Sequence, residues 1–284
     1  MGRLAKDSII TSIIIAIGFL FGTFTGIFIY PKLFAKADLG IFRYIVGWGT
    51  LFAQFCSFGV GSAAIRTYYK LKSKRAHGEM KVLLLLVPMC ILLIFVLSFV
   101  PCSDFFLKKT LNGLPFEAWA IITSIILMTV GMTYVKTYQG VATILQKTPV
   151  LFFVNEIMLK IGVLVVFMLY YYQLIGSSIF LLGLSVVYLS QLVAVLYIIR
   201  SYFEQYSFTL PSATTAKPFM KLSLFCLVDN SVSLLVAQID LMMVGALLAN
   251  SLVQMQEYGM AIQVASVIFL PWRSFMTTSV PFIA

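Results

Sequence analysis

Two aspartates, Asp229 and Asp240, interrupt the stretch LVDNSVSLLVAQIDLMMVG, which otherwise has the composition of a membrane-crossing helix. Eleven residues separate them, so in an α-helix their directions differ by about 20° and they stand roughly 16 Å apart along the axis. Ser233 lies on the same side. That distance is too long for two carboxylates sharing acid and base work across one bond, which need about 5–10 Å. It suits two polar positions along a path, and such a stripe is expected to face a bundle interior rather than lipid. The energetics agree: a central aspartate costs about 2.5–3.5 kcal/mol to insert, while each Leu, Ile, Phe or Val returns about 0.3–0.6. The fourteen such residues in 222–248 roughly cancel two acids. The segment therefore needs protein neighbours or a water-filled cavity, unless both acids sit near helix ends and are solvated.

Three further charges fall in apolar runs. Glu156 and Lys160 are four residues apart, in the order that favours an ion pair on one helix face. Beyond a structural pair, Lys160 is a candidate cavity cation for an anionic substrate, with Glu156 holding it in place. Arg273 sits in LPWRSFMTTSVP, where Pro271 removes a backbone donor and Thr277, Thr278 and Ser279 add hydroxyls. Its planar donor fork suits a phosphate group, although an interfacial anchor would carry the same residue. The single histidine, His77, falls in a basic loop and is expected to be solvated. No P-loop, HExxH or nucleophile elbow is present, so the expectation is a protein that is not an enzyme. Cys56, Cys90, Cys102 and Cys226 show no paired spacing, and neither a metal site nor a disulfide framework is expected.

The elements that must position these residues are membrane helices. Of the 284 residues 61% are hydrophobic and 11% charged, and the mean hydropathy is +1.01. Apolar runs of the length that crosses a bilayer recur at 9–30, 45–65, 82–100, 118–135, 150–172, 177–199, 222–248 and 260–284. The fold class expected is thus all-α, a polytopic membrane helix bundle of about eight transmembrane helices. The net charge of +10 is unevenly placed. With the N-terminus inside, the inner segments hold thirteen cations and the outer ones five, which predicts a cytoplasmic N-terminus and, with eight spans, a cytoplasmic C-terminus. The strongest basic run, RTYYKLKSKRAHGEMK, reads as a topology signal and a contact for anionic membrane lipids, and no nucleic-acid partner is expected. In the first span Gly18, Gly22 and Gly26 repeat every four residues, leaving one face almost bare for the close approach of a neighbour. SFGVGSAA in the second span is the partner expected for that face. The chain stops in SVPFIA without a polar cap, which reads as the front portion of a longer protein.

Two stretches resemble a known family. SIITSIIIAIGFLFGTFTGIFIYPKLFAKADLGIFRYIVGWGTLFAQFCSFGVGSAAIRTYY is similar to the first two helices of the Wzx-type polysaccharide-biosynthesis flippases, which belong to the multidrug/oligosaccharidyl-lipid/polysaccharide exporter superfamily. Leu39-Gly40 matches the family's turn and Arg66 the arginine that closes its second helix, while a second turn glycine is missing. AQIDLMMVGALLANSLVQMQEYGMAIQVASVIFLPWRSFMTTSVPFIA is similar to its seventh and eighth helices, with Asp240 at the acid position and Tyr258 at the aromatic. ADLG and QEYG, each with an acid two residues before glycine, form a faint internal echo. The resemblance implies two six-helix halves around an alternating cavity. Residues 1–200 would form the first half, 201–221 a cytoplasmic linker, and 222–284 the first two helices of an incomplete second half.

It further implies a bacterial inner-membrane exporter. Its cargo would be a polyprenyl-diphosphate-linked oligosaccharide for surface polysaccharide or O-antigen assembly, with other polysaccharide-assembly proteins as partners. Lys160 and Arg273 are then the expected diphosphate or acidic-sugar contacts, and Asp229 and Asp240 the candidates for coupling to a proton or sodium ion. No other cofactor is expected. A drug/cation antiporter of the same superfamily would instead need a strongly acidic cavity. A membrane glycan polymerase would need catalytic residues in a large outer loop, for which 101–117 is poor, and an inactive truncated product is the remaining alternative.

Overall fold

The computed structural model describes residues 3–71, 73–107, 117–247 and 251–266, and every regular element among them is a helix. The first span runs from α1 (Arg3–Phe24) through a π-helical turn (Thr25–Ile29) into α2 (Tyr30–Leu33). The second is broken into α3 (Lys36–Cys56) and α4 (Val60–Tyr68). Phe58 and Gly59 make that break, with φ of 50° and 65°. Glycine accepts this conformation freely and phenylalanine does not, so the break is held by its surroundings. Next come α5 (Lys74–Leu107) and α6 (Ala118–Ile144). The fifth run starts as α7 (Thr148–Phe153), passes through a second π-helical turn (Val154–Met158) and continues as α8 (Leu159–Tyr171). Then follow α9 (Ser177–Gln205), α10 (Ala213–Leu247) and α11 (Ser251–Ser266).

Five helical runs among the described residues are long and apolar enough to cross a membrane: Ile9–Leu33, Arg75–Pro101, Ala118–Ile144, Thr148–Tyr171 and Ser177–Gln205. The chain is an all-α, multi-pass membrane helix bundle. Ile13, Ile17 and Leu20 on α1, Leu93 and Leu97 on α5, and Ile179, Val186 and Val193 on α9 are each more than half exposed. Rows of bare aliphatic side chains on successive turns suit hydrocarbon, where they meet an equally apolar solvent. Of the other expected spans, 45–65 is the broken α3–α4 pair, 222–248 falls mostly in α10, and most of 260–284 lies outside the described residues.

Two apolar clusters make the core, one toward each end of the bundle. The cluster at the end that holds the N-terminus includes Val60, Leu84, Tyr138, Val195 and Tyr202. The far cluster includes Leu39, Ile45, Met128, Phe167 and Leu241. Between them α6 carries Thr129, Thr133 and Thr137, all fully buried, and each hydroxyl donates to the carbonyl one turn earlier, so the buried polar groups satisfy one another. α3 is central, packing on α6, α10 and α11.

The structure redraws two expectations at the N-terminal end. The irregular connection after α9 covers only 206–212, because α10 tolerates Pro218 in its second turn and begins at Ala213, within the 201–221 read as linker. Lys81, counted in the basic loop, is 1% exposed. Its ammonium donates to the Phe203 and Tyr206 carbonyls, both at 2.7 Å, and lies 3.7 Å from the Phe208 ring centroid. It ties α5 to that connection instead of reaching for lipid headgroups. Glu79 reinforces the tie by accepting from the Ser212 amide and hydroxyl.

Candidate functional site

The glycine stripe on α1 is where the first site begins. A Cβ on Gly18 would lie 2.6 Å from the Glu156 Cβ, and one on Gly22 would lie 2.9 Å from the Lys160 Cε. Gly26 faces the Gln263 amide in the same way, at 2.8 Å. The bare face therefore receives the fifth run and α11, a correction to the expected packing on SFGVGSAA. The small residues of that second-span segment serve other crossings: Gly61 meets Gly140 of α6, and Gly59 backs onto Ser223 and Leu227 of α10. Spacing identified the bare face but carried no information about which helix fills it.

Glu156 sits in the π-helical turn and Lys160 in the first turn of the regular helix after it. The Lys160 ammonium donates to the Glu156 carboxylate at 2.7 Å and to the Gly18 carbonyl at 2.8 Å. Both groups are mostly buried, and a charge in this setting is stable when it is paired and hydrogen-bonded. Lys160, but not Glu156, lines a cavity of about 400 Å³ between α1, its π-helical turn, α3, α8, α9 and α11. Extra-wide turns of this type concentrate at functional positions, and here one lies on each of the two helices that meet at the pair.

The second cation of this cavity is Arg43, one of the five cations that an N-terminus inside assigns to the outer segments, together with Lys32, Lys36, Lys108 and Lys109. Its guanidinium donates to the Gln256 side chain at 2.6 Å and to the Gln263 side chain at 3.3 Å, both on α11. Gly259 leaves room for it, since a Cβ there would lie 2.6 Å from its Nη1. None of the ion pairs among the described residues includes Arg43. A signal for it exists in the sequence: Gly40, Arg43, Gly47, Thr50 and Gln54 alternate spacings of three and four, the mark of one helix face. The glycine of each echo segment packs on the helix that carries the other, Gly40 on the Leu252 backbone of α11 and Gly259 on Arg43 of α3.

The same stripe on α3 leads to a second cavity, of about 390 Å³, toward the N-terminal end and bounded by α3, α4, α6 and α10. Its cation is Lys136, whose ammonium donates to the Gln54 side-chain oxygen at 2.9 Å and approaches the Thr50 carbonyl at 3.4 Å. Asn230 donates to Ser62 at 3.0 Å across the α4–α10 boundary.

Asp229 and Asp240 do not occupy either cavity. Both are exposed, which corrects their expected place in the bundle interior. The residues that α10 turns toward its neighbours include Phe219, Ser223, Cys226, Asn230, Ser231, Leu234 and Leu241. Each aspartate is one residue, about 100°, around from that stripe. Asp229 lies 3.8 Å from Arg66 of α4, and Asp240 accepts from the Tyr258 hydroxyl at 3.3 Å. At the far end Lys36 and Glu257 pair at 2.6 Å, so α3–α4 and α10–α11 are bridged by one exposed ion pair near each end of their contact. Arg273 lies outside the described residues, as does the side chain of Ser233. Among the described residues no group of three His, Cys, Asp or Glu side chains could hold a metal ion. In comparisons with known proteins, no family model, no curated protein and no solved structure matches the chain.

Proposed function

We propose that the chain is a membrane transporter of the Wzx type, moving a polyprenyl-diphosphate-linked oligosaccharide between leaflets while the polyprenyl tail stays in lipid. The observation that carries this reading is the first cavity, where Arg43 and Lys160 face one space within an apolar bundle and, among the described residues, Glu156 is the one carboxylate paired with either, through Lys160. Such a lining attracts an anionic head group and disfavours the cationic cargo of a drug antiporter. The positioning of Arg43 by two glutamines that can rotate suits a group that must be held and then released. Alternation would follow from rocking α10–α11 against α3–α4, exchanging the pairs at the two ends. With the inward-turned Lys81 and Lys136 taken from the inner count and Arg43 from the outer one, eleven cations stand against four, which supports a cytoplasmic N-terminus.

Depletion of the protein in its native cell, with lipid-linked oligosaccharides assayed on each leaflet, tests the reading. Accumulation on the inner leaflet that re-expression reverses is the expected result. An unchanged pool and distribution would overturn it.

A further inference from the structure

The second cavity has no part in the argument above, yet it holds the more unusual cation. Lys136 lies eight residues before the end of α6 at Ile144, roughly 12 Å along the axis. A lysine so placed can extend toward the helix end and water. Here its ammonium turns sideways to Thr50 and Gln54 of α3. Among the described residues no carboxylate lines the cavity and no ion pair includes Lys136. An ammonium has three donors, and this one engages two acceptors, one of them at long range. Around it stand groups that bind oxyanions: Ser62 still has its hydroxyl proton after accepting from Asn230, and Asn230 has a second amide N–H. The Gly61–Gly140 crossing forms part of the wall, where α4 and α6 run so close that a Cβ on either glycine would meet the backbone of the other helix.

We propose that this second cavity is an anion site of its own, built on Lys136 with Ser62 and Asn230 as hydrogen-bond donors, that takes a phosphate or diphosphate group. Lysine is suited to the task as a compact point charge that meets a tetrahedral oxyanion from any direction. A cavity of this volume accepts a diphosphate together with part of what it is attached to. The group can come from two sources, the head of a prenyl-linked lipid or a free phosphate compound, and the site chemistry is the same for both. Placed along α3 from Arg43, the site gives an anion a second station inside the same bundle.

The test is calorimetric titration of the purified full chain in nanodiscs of uncharged lipid with two probes, inorganic diphosphate and farnesyl diphosphate. The expected result is that Lys136→Gln weakens binding at least about tenfold, as loss of a charge-assisted contact should, while Lys136→Arg retains most of it and Arg43→Gln leaves a Lys136-dependent binding event in place. Binding of both probes identifies the phosphate group alone as sufficient; binding of farnesyl diphosphate only identifies the lipid-linked source. Equal binding by the wild type and Lys136→Gln overturns the site, as does failure of both probes to bind the wild type. If Lys136→Gln does not purify as a monodisperse species, Ile65→Cys, at a lining position with no ligand role, is labelled with maleimide and quantified by peptide mass spectrometry. Diphosphate should slow labelling several-fold, and unaltered labelling would reject the proposal. Because these readouts need no transport, Lys136-dependent binding with an unchanged leaflet distribution would sink the flippase reading and leave the site, and the opposite pattern would do the reverse.

Discussion

The two cavities are nearly equal in volume and share one helix, α3, yet they hold their cations differently. In the first, Lys160 is fixed by a carboxylate and a helix carbonyl, and Arg43 by two amide side chains. In the second, Lys136 rests on one amide and a distant carbonyl. The contrast separates two jobs that an intramembrane cation can do. A lysine bound to a partner of opposite charge organises its surroundings, while one held only by neutral groups keeps its charge for something else.

The largest expected effect comes from breaking the organising pair. Lys160→Met leaves Glu156 mostly buried without its counter-charge and should lower stability by about 3 kcal/mol in denaturant-induced unfolding in detergent. The double variant Glu156→Gln/Lys160→Met should recover most of that loss. If the single variant were harmless, the first cavity would be no more organised than the second. Next comes the wall on which the pair rests. Gly18→Leu drives a side chain into Glu156 and should cost about 2–3 kcal/mol by the same measurement. Lys136→Gln, which disturbs no ion pair, should change stability by less than about 1 kcal/mol, and a larger loss would assign Lys136 a structural role like that of Lys160. Arg43→Gln should cut the transfer of lipid-linked oligosaccharide about tenfold with folding intact, the value of one charge-assisted contact. The smallest effects belong to the exposed pairs: Arg66→Gln or Lys36→Gln should shift stability by well under about 1 kcal/mol, because solvent screens both. A charge swap of Arg66 and Asp229 that preserves transport would confine this pair to closing the contact.

Several parts of this arrangement were open to reading from residue order, and others were not. Glu156 and Lys160 were identifiable because helical spacing alone puts them on one face, and the geometry at 2.7 Å follows from that. The bare face of α1 was legible for the same reason. Its partner was not, because what fills a groove depends on how distant helices pack. Arg43 and Lys136 were hidden by a different effect. Each lies within a few turns of a span end, and a count of flanking cations treats such residues as topological signals. Only the amides of Gln54, Gln256 and Gln263, brought from other helices, show that these side chains point inward. Asp229 and Asp240 failed in the opposite way. Helical spacing gives them a shared direction, but direction around an isolated helix does not say which side meets the bundle.

Local chemistry and length, then, were settled by the order of residues: apolar runs long enough for a bilayer, a glycine face, and a pair of opposite charges one turn apart. These depend on the rise and pitch of one helix, which every segment carries with it. The tertiary structure decided which face of each helix looks inward, where α1 and the fifth run widen into π-helical turns, and that a single stripe on α3 serves two cavities. Those outcomes arise from packing between segments separated by as many as 241 residues, where the free energy belongs to the contact and to neither helix alone.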